Sequence, residues 1–172
     1  LSAGTELACL SGSESWAPFP WVPGYGSVGV VIQAGDPDAG ISEGDRIFTY
    51  GRHEGISMAN TVLRKIPPTL PAEEAVFSRM AAVAITALRV SSCELGDTVA
   101  VFGLGLVGNF AAQLFTMAGC DVIGIDVSAH RRKIAGDCGI WRCLQPGDDL
   151  AGQINAGGLP QSIPWIRYGD TT

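Results

Sequence analysis

The chain has 172 residues, a formal net charge of −6, and side chains that are 47% apolar and 16% charged. That balance excludes intrinsic disorder, which needs low hydrophobicity and high charge. The 23 glycines have no Gly-X-Y period, which excludes collagen. The acidic balance argues against a nucleic-acid or anionic-membrane partner, since either calls for a basic patch.

Taken from the start, the segment 1–68 reads as all-β. Leu1 stands where a Met would open a complete chain, and the first residues read as mid-strand. Pro and Gly then punctuate short β-rich runs. Ser27-Val28-Gly29-Val30-Val31-Ile32 and Arg46-Ile47-Phe48-Thr49 are rich in β-branched side chains and are expected as strands of a small barrel or sandwich. After Pro67-Pro68 the pattern turns helical. Pro71 with Glu73 and Glu74 marks a helix start, because Pro fits the first turn and carboxylates favour the positive end of the helix dipole. Ala-rich sequence to Val90 predicts one broken helix or two short ones.

Asp97-Thr98-Val99-Ala100-Val101-Phe102 is a nearly uninterrupted apolar run, which suits a parallel strand buried on both faces. A helix is expected over 107–118, closed by Gly119. Residues 120–126 read as a second strand, 128–135 as a second helix and 141–144 as a short third strand, with another helix starting near Asp148. The order strand, helix, strand, helix, strand makes two βαβ units with right-handed crossovers. Residues 155–172 show no period, are broken by Gly157-Gly158, Pro160 and Pro164, and take no place in the expected sheet. The five cysteines at 9, 93, 120, 138 and 143 form neither an even framework nor a CxxC pair, so disulfides and a zinc knuckle are not expected. Cys120 and Cys138 read as small buried hydrophobes. No run reaches the ~18 apolar residues of a membrane span. No signal-peptide pattern opens the chain, and a cytoplasmic location is expected.

The chemistry concentrates at Gly103-Leu104-Gly105-Leu106-Val107-Gly108. A GxGxxG alone is a weak signal, but this one follows a strand and opens a helix. An acidic residue, Asp126, ends the next strand 18 residues on (126 − 108 = 18), near the expected ~20. Gly103 suits the tight turn, Gly105 the approach of a pyrophosphate, and Gly108 close helix–strand packing. The free N–H groups of the helix start would face the phosphates. Asp126 would accept from the ribose hydroxyls of NAD and repel the extra phosphate of NADP. Arg131 and Arg132 follow closely and count against that preference; Arg131 is a candidate for the adenosine side.

These motifs resemble the medium-chain dehydrogenase/reductase superfamily, the relatives of zinc-type alcohol dehydrogenases. The resemblance runs over about 2–154. It rests on Ser2-Ala3-Gly4-Thr5-Glu6-Leu7, Pro23-Gly24-Tyr25-Gly26-Ser27-Val28-Gly29, Gly44-Asp45-Arg46-Ile47-Phe48, and the span from Leu95-Gly96-Asp97 through Asp126. It implies a GroES-like β domain, partial here, followed by a partial Rossmann domain. The expected divisions are 1–68 for the β domain, 69–92 for connecting helices, 93–154 for the first half of the Rossmann domain and 155–172 as a tail. A complete member would run to roughly 300 residues at ~150 per domain, so the chain is expected to be a piece with three of six sheet strands.

The departures from the zinc-type pattern are informative. Ala3 and Tyr25 stand at the first two zinc-ligand positions, no Cys lies near Ser78 where the third falls, and 45–65 holds no Cys for a structural zinc. No zinc is therefore expected. Thr5 matches the hydroxyl that relays protons in the family. Tyr25 is a candidate proton donor or a pocket wall. Glu6 is a candidate for orienting Thr5 or pairing with a cation. His53 reads as a surface loop residue, and Trp16, Phe19 and Trp21 as either an apolar pocket lining or packing. The expected function is NAD(H)-dependent, zinc-independent hydride transfer between nicotinamide and an alcohol/carbonyl or activated alkene. A small-molecule substrate is expected, with a homodimer for the full-length protein. The rival reading is a non-catalytic dinucleotide-binding or interaction protein on the same scaffold.

Overall fold

The computed structural model describes residues 3–36, 40–59, 62–147 and 149–155, and the backbone of 165–167. The chain forms two compact units, Leu1–Arg79 and Met80–Thr172.

The first unit opens with a helix, α1 (Ala3–Leu10), where a strand was expected. The physical reason is local. Ala, Glu and Leu are good helix formers, and Thr5 is the only β-branched residue in AGTELACL. Cys9, with no exposed surface, anchors the helix. Three strands follow: β1 (Ser27–Val30), β2 (Arg46–Thr49) and β3 (Leu63–Lys65). They form an antiparallel sheet in the order β1-β2-β3, with Val28 opposite Phe48 and Ile47 opposite Lys65. The central strand carries the burial, with Ile47, Phe48 and Thr49 all under 8% exposed. Arg46 donates to the carbonyls of Pro68 and Leu70, both at 3.1 Å, and so fastens the segment before the helices. The expected helical stretch is indeed two helices, α2 (Ala72–Ala75) and α3 (Ser78–Val90).

The second unit is built on a parallel sheet. Its strands are β4 (Thr98–Phe102), β5 (Asp121–Ile125), β6 (Arg142–Leu144) and β7 (Trp165–Arg167), in the order β6-β5-β4-β7. Helices α4 (Leu106–Met117), α5 (Ala129–Asp137) and α6 (Leu150–Asn155) connect them. The apolar run in β4 is explained by its two covered faces. Val99 and Val101 join one cluster with Ala112, Phe115 and Ile140, whereas Ala100 joins a second with Ile123, Ile125 and Ile154. Each face takes alternate residues, as the strand period of two requires.

Two further expectations are corrected. The tail left unassigned contributes a strand: β7 pairs in parallel with β4, Val101 opposite Ile166, so among the described residues the sheet has four strands rather than three. A three-residue strand behind Pro160 and Pro164 carries no period of its own, and its place comes from pairing with β4. Cys138 is exposed rather than buried, because it caps the end of α5; Cys120 is buried as expected. All five cysteines are free.

Candidate functional site

The glycine-rich loop leaves β4 and turns into α4. Gly103 has φ +85°, a conformation side chains rarely adopt, and its N–H donates to the Ile125 carbonyl at 2.7 Å. A Cβ on Gly108 would overlap the Gly103 carbonyl oxygen, so only glycine lets the helix sit this close to the loop. Gly105 is different. A Cβ there would meet nothing within 4 Å, and it is the N-cap of α4 with no side chain capping the helix. The first-turn N–H groups of Leu106, Val107 and Gly108 have no carbonyl one turn earlier in the helix. The helix start thus offers donors and a partial positive charge beside open space.

The sheet order places this loop well. Numbered within the sheet by chain order, β6-β5-β4-β7 reads 3-2-1-4, so the strands run outward from β4 to β6 on one side and resume with β7 on the other. The crevice at the carboxyl ends of β4 and β7 is the switch point where open α/β sheets bind ligands.

Asp126 ends β5 and is 4% exposed. Its Oδ2 accepts the Leu104 N–H at 2.7 Å and its Oδ1 the Ser128 N–H at 2.7 Å. Its backbone carbonyl accepts from Arg132 Nη1 at 2.6 Å, and Arg132 also reaches Val127 O and Gln145 Oε1. Arg131 Nη1 lies 3.7 Å from Asp126 Oδ2, with its side chain 56% exposed. Of the two arginines singled out, Arg132 therefore fastens the loop and Arg131 stands at the carboxylate. Ser128 caps α5 by accepting from the Arg131 N–H.

In the first unit, Thr5 lies exposed on α1. Glu6 lies near the His53 loop, with His53 Nε2 3.6 Å from Glu6 Oε1. The loop carrying His53 is held by its N–H to the Pro23 carbonyl at 2.8 Å, next to Gly24 and Tyr25. The Tyr25 ring is half-buried and faces the Arg79 guanidinium, 5.6 Å from its centroid. Trp16 and Trp21 meet edge-on at 6.4 Å, and Trp16 and Phe19 are about 60% exposed.

No family model matches the chain. Over 133 residues it is 36% identical to the D-guloside 3-dehydrogenase of Escherichia coli (strain K12), a match covering 74% of this chain and 38% of that relative. Over 169 residues it is 26% identical to an alcohol dehydrogenase of Geobacillus stearothermophilus, covering 78% of this chain and 50% of the relative. A mycobacterial protein solved in complex with NADPH superposes with a TM-score of 0.65 and 26% identity, covering 78% of this chain and 46% of that one. The chain belongs to the medium-chain dehydrogenase/reductase superfamily. It spans half or less of the length of these relatives.

The positions that the resemblance assigns to zinc ligands carry few donor atoms. Ala3 offers none, Tyr25 offers a phenol with a cation over its ring, and Ser78 opens α3. Among the described residues, no group of three or more His, Cys, Asp or Glu side chains could hold a metal ion. Neutral hydroxyls are poor zinc ligands beside thiolate and imidazole, so these positions do not fit a catalytic zinc. The loop glycines and Asp126, by contrast, fit a dinucleotide.

Two features of the site have no counterpart in the sequence reading. Arg79 was invisible because it lies within an Ala-rich helical stretch with no local motif. Leu104, 3% exposed, carries no signal as a spacer between glycines, yet its N–H donates to the Asp126 carboxylate.

Proposed function

We propose that the chain is part of an NAD(H)-dependent, zinc-independent oxidoreductase acting on a small alcohol/carbonyl or activated alkene. The observation that carries this reading is the uncapped start of α4 beside Gly105, at the β4–β7 switch point, with an acidic residue closing β5. The N–H groups of Leu106, Val107 and Gly108 would hold the diphosphate. Asp126 would accept from the ribose hydroxyls, with Arg131 beside it. A fixed anion at this position disfavours a 2′-phosphate, which supports NAD(H) over NADP(H). The bound dinucleotide would supply or accept the hydride.

On the other substrate atom, a group must donate or take a proton. Tyr25 is the proposed donor, since a phenol next to a guanidinium can stabilise developing negative charge on oxygen. Thr5 is the proposed relay, with Glu6 next to it and 3.6 Å from His53.

The test is NADH oxidation by the full-length protein against a panel of aldehydes, ketones, quinones and enones, with metal content measured in parallel. The reading expects turnover without stoichiometric zinc, and a kcat for Tyr25→Phe lowered by about 100-fold with KM little changed. Tight NADH binding with no turnover across the panel would favour the non-catalytic alternative. Zinc near one per chain would overturn the zinc-free part.

A further inference from the structure

Arg79 is a cation that the first unit holds in place without neutralising. Its Cζ sits 4.4 Å from the Tyr50 ring centroid and 5.6 Å from the Tyr25 centroid. Its Nε is buried and makes no hydrogen bond, and among the described residues no carboxylate pairs with the guanidinium. The slot is firm on the Tyr50 side, where the ring meets buried Phe48 edge-on at 5.8 Å. Buried polar groups left unpartnered are rare, and each calls for a reason.

A guanidinium stays charged at any physiological pH and stacks on aromatic faces through its plane, which leaves its edge for an acceptor. Tyr50 also walls a groove of about 260 Å³, shared with Thr49, Gly51, Arg52 and Glu54. We infer that Arg79 is an anchor for a carboxylate-bearing small molecule, seated between Tyr25 and Tyr50. A planar carboxylate matches the guanidinium fork with two parallel hydrogen bonds. The one positive charge of Arg79 balances one carboxylate, while Arg52 and Glu54 in the adjoining groove offset each other.

This inference deepens the proposed function by naming a chemical class for its substrate, and it rests on that reading only in calling the ligand a substrate. Its test needs no turnover. The ¹⁵N-labelled chain is titrated with sodium benzoate, with the neutral isostere benzamide and with inorganic phosphate, while the arginine Nε–H signals are followed. Benzoate is expected to shift one such signal saturably, the one missing in Arg79→Met, and benzamide is expected to leave it in place. Arg79→Met and Tyr50→Leu should each weaken benzoate by about tenfold or more, with NADH affinity unchanged. Two variants on different elements guard against a folding defect in one, and far-UV circular dichroism checks both.

Equal binding of benzamide, unchanged benzoate affinity in both variants, or tighter binding of phosphate would overturn the assignment. Loss of NADH binding with benzoate retained would strike the dinucleotide reading alone. The reverse result would strike only this one.

Discussion

The Asp126 carboxylate accepts the Leu104 backbone N–H at 2.7 Å, tying the end of β5 to the loop that leaves β4. With the second oxygen on Ser128 N–H, the side chain holds two connections at once. Asp126 is thus a structural strut as well as the proposed ribose ligand, and its substitution has two readouts. Asp126→Asn keeps one acceptor oxygen but turns an amide NH₂ toward a backbone N–H. Hydrogen bonds to a charged group are worth about 1.5–3 kcal/mol. A loss of about 1 kcal/mol lowers Tm by roughly 4–8 °C in a unit of this size. Thermal unfolding should show at least that drop, and titration should show weaker discrimination between NADH and NADPH. A change in discrimination without any loss of Tm would mean that the two hydrogen bonds carry no stability.

The second and third glycines of the motif separate binding from folding. Gly105→Ala places a methyl in open space at an ordinary φ of −65°, so it should cost only the poorer N-cap, a few tenths to about 1 kcal/mol, while dinucleotide affinity falls. Gly108→Ala drives a methyl into the Gly103 carbonyl and must push α4 off the loop. It should cost about 1–3 kcal/mol, as overpacking does. Differential scanning fluorimetry with and without NADH distinguishes the two patterns. Equal destabilisation by both would refute the assignment of open space to Gly105.

A third expectation concerns acid. Lys65 Nζ lies 2.7 Å from Asp45 Oδ2, and the Ser42 N–H donates to the same carboxylate, so these contacts hold the Asp45 carboxyl below its ordinary value. A depressed carboxyl stabilises the fold above the unfolded value near 3.8 and loses that contribution as pH falls through the folded value. Asp45→Asn should therefore lower Tm at pH 6 and have less effect near pH 3. An identical effect at both pH values would contradict the pair's contribution.

The thiols should label in a fixed order. Burial pushes Cys9, Cys120 and Cys143 above the usual thiol range, which keeps the reactive thiolate scarce in the folded chain. Cys138 is exposed. Iodoacetamide at pH 7.5 followed by peptide mass spectrometry should find Cys138 modified first and Cys120 only after unfolding. Early modification of Cys120 would contradict the packing around β4 and α4.

Legibility in the sequence followed the range of the forces involved. The β4–loop–α4 unit was readable because its signals are local: an apolar run, three glycines at set spacing and a helical period. The helix α1 was not, because eight residues lie too near the minimum for any period to show, and its stability comes from buried Cys9. β7 was unreadable for a different reason. Its three residues follow two prolines, and only pairing with β4 makes them a strand. Tyr25 was singled out as a hydroxyl donor, but the cation over its ring depends on Arg79 and Tyr50, which sequence separates and packing unites. His53 read correctly as a loop residue, whereas its approach to Glu6 is again non-local.

The central claim is that this chain carries a dinucleotide site tuned by Asp126 toward NAD(H). Its most direct test is calorimetric titration of the protein with NADH and NADPH under identical salt and pH. The account predicts that both bind at one site and that NADH binds at least about tenfold tighter, a difference of about 1.4 kcal/mol. No binding of either nucleotide, or NADPH binding as tightly as NADH, would contradict it.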